Sequence, residues 1–274
     1  MTLETVSFEG HDCVRLEDGE VAVLVTISTG PRILGLLVEG VNLFAVLPDA
    51  LLVGPEGERF RFLGGHRLWV APEIPSVTYR SDDRPCSVTE VEDGVGVEAP
   101  PDGAHLAKVI WVRRSPNGWI VDHVVRNASR RTTTIAPWAL TQLQRGGEAA
   151  IAVPPREDGP RADRSVVLWP YTDLGDPRFG FSRDEVRVDA GRPGPPLKLG
   201  AAPSDGRVAY ELDDYRFEKR IDVDPDAPYA DRGAAVQVYV CDDFCELETL
   251  GPLHEVEPGG SVALRERWSV ARTS

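Results

Sequence analysis

The chain has 274 residues, long enough for a large core, and its 42% apolar and 27% charged content is that of a soluble globular protein. A formal net charge of −14 repels nucleic acid, and no apolar run approaches the length needed to cross a bilayer. A neutral or cationic ligand suits such a surface, whereas an anionic one would need a local arginine cluster. The residues Met1-Thr2-Leu3-Glu4-Thr5 carry no basic patch leading into an apolar stretch, so a cytoplasmic location is expected.

Residues 21–27 form a run rich in β-branched side chains that ends near Gly30-Pro31, and residues 32–39 continue in the same style. Residues 87–92 and 95–98 flank Asp93-Gly94, a hairpin signal. Residues 108–113 and 119–126 make a second pair around Ser115-Pro116-Asn117-Gly118. In that pair His123 shares a face with Val121 and Val125, which predicts a packed, singly bonded imidazole. Residues 156–164 and 190–196 read as loops. Strands follow over 207–212, 217–223, 235–240, 244–250 and 261–270. No helical stripe lasts three turns, and 26 glycines and 23 prolines punctuate the short runs. The fold class predicted is all-β, a single domain over 1–274 built as a large antiparallel β-sandwich with few or no helices.

Three stretches carry candidate chemistry. Gly64-Gly65-His66-Arg67-Leu68-Trp69 puts a flexible turn before an imidazole, a guanidinium and an indole. Such a set suits a polar, stackable ligand such as a sugar; the plain alternative is a glycine turn, a strand and a core tryptophan. Residues 135–143 add Trp138 as a second stacking platform or core residue, with Thr141 and Gln142 able to bond hydroxyls. In residues 244–252, Glu246 and Glu248 point to one face of an extended strand together with Phe244 and Leu250. Two neighbouring carboxylates repel, so one should hold its proton more tightly. The pair could work as a general base or grip sugar hydroxyls; the alternative is a solvent-facing edge.

Other patterns fail. Asp222, Asp224 and Asp226 suggest a calcium loop, but Ala227 and Gly233 stand where its glycine and glutamate belong. The four cysteines lack zinc-site spacing and are expected as reduced thiols. Neither metal nor cofactor is expected. Lys108, Lys198 and Lys219 are the only lysines in an arginine-rich chain, a bias read as codon usage.

The motifs together resemble the galactose mutarotase-like (aldose 1-epimerase-like) superfamily, and within it the DUF4380-type bacterial subgroup. Phe62 to Trp69 with Ala71-Pro72-Glu73, Ala136 to Thr141, and a C-terminal block carry the likeness. That block runs from Phe217-Glu218-Lys219-Arg220 through Tyr229-Ala230-Asp231 and Glu246 to Pro252, and ends at Glu266-Arg267-Trp268. The resemblance implies a β-supersandwich whose concave face binds carbohydrate. Leu247-Glu248-Thr249 looks like the segment around the mutarotase base, making Glu248 the first candidate and Glu246 the second. Where mutarotases carry their catalytic histidine, this chain has Pro137-Trp138-Ala139-Leu140, so His66 is the candidate acid. Arg67, Trp69, Glu73, Trp138, Gln142 and Lys219 are the candidate substrate contacts. Three functions fit: an epimerase that interconverts anomers, a non-catalytic sugar-binding or sensing protein, and a lyase acting on uronic sugars, with Arg67 and Lys219 facing the sugar carboxylate.

Overall fold

The computed structural model describes residues 3–155, 160–202 and 205–273. In chain order the first elements are β1 (Glu4–Phe8), β2 (His11–Asp18), β3 (Val21–Thr26), β4 (Arg32–Val38), β5 (Val41–Asn42), β6 (Val46–Val53), β7 (Arg59–Gly64) and β8 (His66–Ala71). A one-turn helix, α1 (Pro75–Thr78), leads to β9 (Ser87–Val91), β10 (Gly94–Glu98), β11 (Leu106–Ser115), β12 (Gly118–Asn127), β13 (Thr133–Leu143) and β14 (Glu148–Ala152). Then come β15 (Ser165–Leu168), β16 (Phe179–Phe181), β17 (Glu185–Asp189), β18 (Leu197–Ala202), β19 (Arg207–Leu212) and β20 (Tyr215–Arg220). The chain ends in β21 (Val236–Val240), β22 (Cys245–Leu250), β23 (His254–Val256) and β24 (Ser261–Arg272).

These strands build two large antiparallel sheets. One runs β1-β2-β3-β4-β8-β13-β22-β21-β18-β15, with β5 on β4 and β23 on β13; the other runs β16-β17-β14-β19-β20-β24-β12-β11-β10-β9. Val91 pairs with Gly94 and Ser115 with Gly118, so both predicted hairpins form, with Asp93 at φ 56° in the first turn. The predicted loop at 190–196 lies between β17 and β18, while residues 156–159 of the other predicted loop fall outside the described residues.

The sheets pack through alternate side chains. Leu68, Val70, Ala139, Leu143, Leu247 and Val238 of the first sheet meet Val121, Val125, Phe217, Leu264 and Trp268 of the second in one core. Burying an apolar side chain of this size contributes about 1.5–3 kcal/mol. Strands β8, β13, β18 and β22 are buried along both faces. The outer face of β8 and β13 is covered by a second cluster in which Trp69, Trp138, Leu140 and Leu250 pack with Leu52, Phe62, Tyr79 and Leu253. The β6–β7 ribbon and the α1 segment contribute Leu52, Phe62 and Tyr79 to that cover.

Gly64 and Gly65 admit close contact, but from the chain itself. At φ 78° and 71°, side chains there would be strained, and an added Cβ would stand 2.2 Å from the Ala45 carbonyl oxygen at Gly64 and 2.5 Å from that of Ile33 at Gly65. Gly65 N donates to Ala45 O, which ties the ribbon to the sheet. All four cysteines are unpaired thiols. Among the described residues no helix is long and apolar enough to cross a membrane.

Candidate functional site

Neighbouring residues on a strand face opposite ways. That alternation divides the His66-Arg67 motif between two environments. His66 points into the sandwich; Arg67 and Trp69 lie on the outer face with the second cluster.

Inside, both His66 nitrogens are engaged. Nδ1 lies 2.8 Å from Thr141 Oγ1 and Nε2 lies 2.6 Å from His123 Nε2, so one proton sits between the two imidazoles. His123 Nδ1 faces the Leu264 carbonyl at 3.3 Å, giving that ring two partners instead of the single one predicted. Glu266 anchors the group. Its carboxylate pairs with Lys219 Nζ at 2.9 Å, accepts from Trp268 Nε1 at 2.7 Å and from Thr249, and lies 3.8 Å from His66. Burial alone would raise the Glu266 carboxyl, but Lys219, His66 and His123 outweigh it and hold it at about 2. Burial pushes His66 well below its usual value and lowers His123, against the attraction of Glu266.

The ligand atoms of His66, His123 and Glu266 lie within 4.8 Å of one another, the one such group of three or more among the described residues. Two imidazoles and a carboxylate are a donor set for a zinc-type ion. As placed, the shared proton occupies the gap between the Nε2 atoms, and Lys219 already supplies the positive charge opposite Glu266. Asp222 instead pairs in a fork with Arg267 at 2.9 and 2.8 Å.

The outer face is assembled by register. Trp69 pairs with Trp138, Gln142 with Glu246, Glu248 with Gln237, and Lys198 with Tyr239. Glu248 Oε2 accepts from Trp138 Nε1 and pairs with Lys198 Nζ, both at 2.7 Å. Lys198 stands over the Trp138 and Trp169 rings, 4.9 and 4.6 Å from their centroids. Gln142 Nε2 donates to Glu246. Arg67 is held by Asp82, which also pairs with Arg32 at 2.6 Å, and its guanidinium stacks 4.6 Å from the Trp69 ring. Trp69 meets Tyr79 and Trp138 edge to face.

Burial, then the charge of Glu248, pushes Glu246 up to about 8, against Lys198, the Gln142 bond and Arg67. Burial and then the Arg32 charge lower Arg67 to about 9, against Asp82. Of ten buried polar atoms without a partner among the described residues, five lie on the outer face of β8, β13, β21 and β22: Arg67 Nε, Trp69 Nε1, Gln142 Oε1, Gln237 Oε1 and Glu248 Oε1. Buried polar atoms are ordinarily paired, so five on one face mark it out.

Of the residues singled out from the sequence, Arg67, Trp69, Trp138, Gln142, Glu246 and Glu248 share this face. Glu73 is exposed and accepts from Tyr79 Oη at its edge. His66 and Lys219 stand apart, because their strand positions turn them into the interior beside Glu266. Sequence reasoning missed Lys198, Asp82, Gln237 and Tyr239. A signal existed for Lys198: a lysine between two leucines in Leu197-Lys198-Leu199 faces away from the core that the leucines fill.

No family model and no curated protein matches the chain. Solved structures do. A galactose mutarotase-like protein from Lactobacillus casei ATCC 334 superposes with a TM-score of 0.60 at 10% identity, covering 94% of this chain and 100% of that one. The Slr1438 protein from Synechocystis sp. PCC 6803 gives 0.61 at 14% identity over 99% and 100%. A galactose mutarotase-like protein from Clostridium acetobutylicum gives 0.54 at 9% identity over 99% of each chain. The fold is galactose mutarotase-like. At such identities the likeness concerns the fold alone, and the chemistry has to be argued from this chain's own residues.

Proposed function

We propose that the chain binds a carbohydrate on the outer face of β8, β13, β22, β21 and β18, and that it exchanges the sugar's anomers by proton transfer. The observation that carries this reading is the set of five unpaired polar atoms on one face. Three are acceptors and two are donors, and they lie among the indoles of Trp69 and Trp138. A polyhydroxylated ring, whose hydroxyls donate and accept while its C–H faces stack, satisfies such a set. Glu248 is the candidate base, with Oε2 fixed by Lys198 and Trp138 and Oε1 left to receive a proton. The half-buried rings of Tyr79 and Tyr239 and the exposed Tyr171 lie near Glu246 and Glu248 on the solvent side. Ring opening and reclosure are acid–base steps that need no electron or group carrier, so the reaction needs no cofactor. On the same reading the chain stands nearest the DUF4380-type proteins and works on soluble sugars in the cytoplasm.

A second reading, a sugar-binding protein without catalysis, is favoured by one observation. Among the described residues no histidine bonds to or stacks on a group of this face. Titration with hexoses, pentoses, uronic acids and short oligosaccharides, followed by tryptophan fluorescence, tests the binding. Anomeric exchange by wild type and Glu248→Gln tests the chemistry. Binding with no exchange selects the second reading, and a panel that leaves the fluorescence unchanged removes the carbohydrate proposal.

A further inference from the structure

We infer that Glu246 is the proton donor to the ring oxygen of the bound sugar, acting opposite Glu248 as the proton acceptor. This rests on the carbohydrate reading above and supplies the acid that His66, turned into the interior, does not.

The geometry is that of one strand. Glu246 and Glu248 are two residues apart on β22, project from the same face, and have backbones roughly 7 Å apart. The ring oxygen and the anomeric hydroxyl of an aldose are bonded to the same carbon, so two carboxyls on neighbouring same-face positions can address one each. The two carboxyls have different surroundings. Glu248 is fully buried and carries its counter-ion, Lys198, at 2.7 Å. Glu246 has a neutral amide, Gln142 Nε2, as its hydrogen-bond donor and is slightly more exposed at 6%.

The titratable groups around Glu246 come from every neighbouring element. Glu248 and Cys245 lie on its own strand, Tyr239 on β21 with Cys241 just beyond, Lys198 on β18, and Arg67 on β8. Tyr79, Tyr171 and, from the opposite sheet, Lys219 feel its charge. Burial and the Glu248 charge dominate that balance and keep the Glu246 proton in place through neutral pH. One buried carboxyl is thus a proton donor while its neighbour is ion-paired, an arrangement suited to acid and base roles in one site.

The step balances within the pair. Glu248 Oε1 takes the proton of the anomeric hydroxyl, and the O1–H electron pair becomes the second C1–O1 bond of the carbonyl. The bond from C1 to the ring oxygen breaks, and Glu246 gives its proton to that oxygen. Rotation about C1–C2 presents the other carbonyl face. Closure returns the ring hydroxyl proton to Glu246 and the Glu248 proton to O1. No external reactant is consumed.

The test uses the full chain with freshly dissolved α-anomers of glucose, galactose, xylose and arabinose. Anomeric exchange is read by NMR saturation transfer, and binding by tryptophan fluorescence. Glu246→Gln should slow exchange by about 100-fold or more while the binding midpoint moves less than about 3-fold. Wild-type kcat/KM should fall tenfold per pH unit above about pH 8, and Glu246→Asp should keep part of the rate and such an alkaline limb. Exchange at the wild-type rate in Glu246→Gln, or a flat wild-type profile from pH 6 to about 9.5, overturns the assignment; the profile decides even if the variant misfolds. Binding without any wild-type exchange overturns the acid role and leaves sugar binding standing. No fluorescence response and no exchange with any of these sugars removes both.

Discussion

Lys198 Nζ sits 2.7 Å from Glu248 Oε2, and the same nitrogen is framed by the rings of Trp138 and Trp169. Neither partner has appreciable contact with water, with side-chain exposures of 6% and 0%. Removing one charge therefore leaves the other buried. Lys198→Met should destabilise the fold by about 3–5 kcal/mol, measured as a lower urea midpoint. Adding Glu248→Gln should return much of that loss, since neither charge is then stranded. A Lys198→Met protein within about 1 kcal/mol of wild type would show that the pair contributes little.

Trp69 offers a narrower test of the ligand. Its indole nitrogen has no partner within the protein, yet its ring packs against Arg67, Tyr79 and Trp138. Replacing the Trp69 indole by its benzothiophene isostere (3-benzothienylalanine) keeps a fused ring of nearly the same size and deletes the N–H. If that N–H donates to a sugar hydroxyl, affinity should drop by about 0.5–1.5 kcal/mol, roughly 2- to 12-fold, with little change in stability. Isothermal titration with the best sugar of the panel decides this, and an unaltered Kd would take the indole N–H out of the contact set.

The architecture was legible because period-2 patterning and turn chemistry are local. Pro116-Asn117 sits between paired strands as expected, the first hairpin turns at Glu92-Asp93, one residue before the expected Asp93-Gly94, and the split of 244–250 into Glu246, Glu248 and Leu250 against Cys245, Leu247 and Thr249 holds in the sheet. The same rule, applied to His66 and Arg67, says that neighbours cannot share a face; treating the motif as a unit hid that. What no local pattern could supply is the register that brings Lys198, 50 residues away, to Glu248, or Lys219 to Glu266. The lysine count held a clue nonetheless. All three lysines are buried, each beside a carboxylate: Lys108 with Asp102, Lys198 with Glu248, Lys219 with Glu266. In a chain whose other basic residues are arginines, lysine stands where a compact ammonium closes a buried pair.

Glu246 should leave a mark on stability as well as on activity. Its folded-state pKa is raised from 4.5 to about 8. The folded chain thus binds a proton that the unfolded chain has released, and stability must fall as pH rises between those values. Its contribution is complete below about 4.5 and lost once pH passes about 8. Unfolding temperatures across pH 5–9 should therefore decline more steeply for wild type than for Glu246→Gln, which cannot ionise. Parallel profiles for the two proteins would mean that the carboxyl titrates normally.

The interior cluster predicts the opposite slope on the acid side. His66 and His123 are held below 6.5, so unfolding takes up protons as pH drops through that value and stability falls. Glu266, at about 2, adds a second loss that begins near 4.5 and runs down through its folded pKa. Glu266→Gln removes the anionic partner of Lys219 and leaves one acceptor oxygen where two served Lys219, Thr249 and Trp268. It should cost about 3–5 kcal/mol at pH 7, because a buried ammonium is left uncompensated. Pairing it with Lys219→Met should recover part of that cost. Side-chain NMR gives the decisive reading. Both imidazoles should titrate below the ordinary 6.5 in the folded protein. If either ring takes up a proton near 6.5 while the chain remains folded, the closed proton-sharing pair described for His66 and His123 is not how these side chains are held.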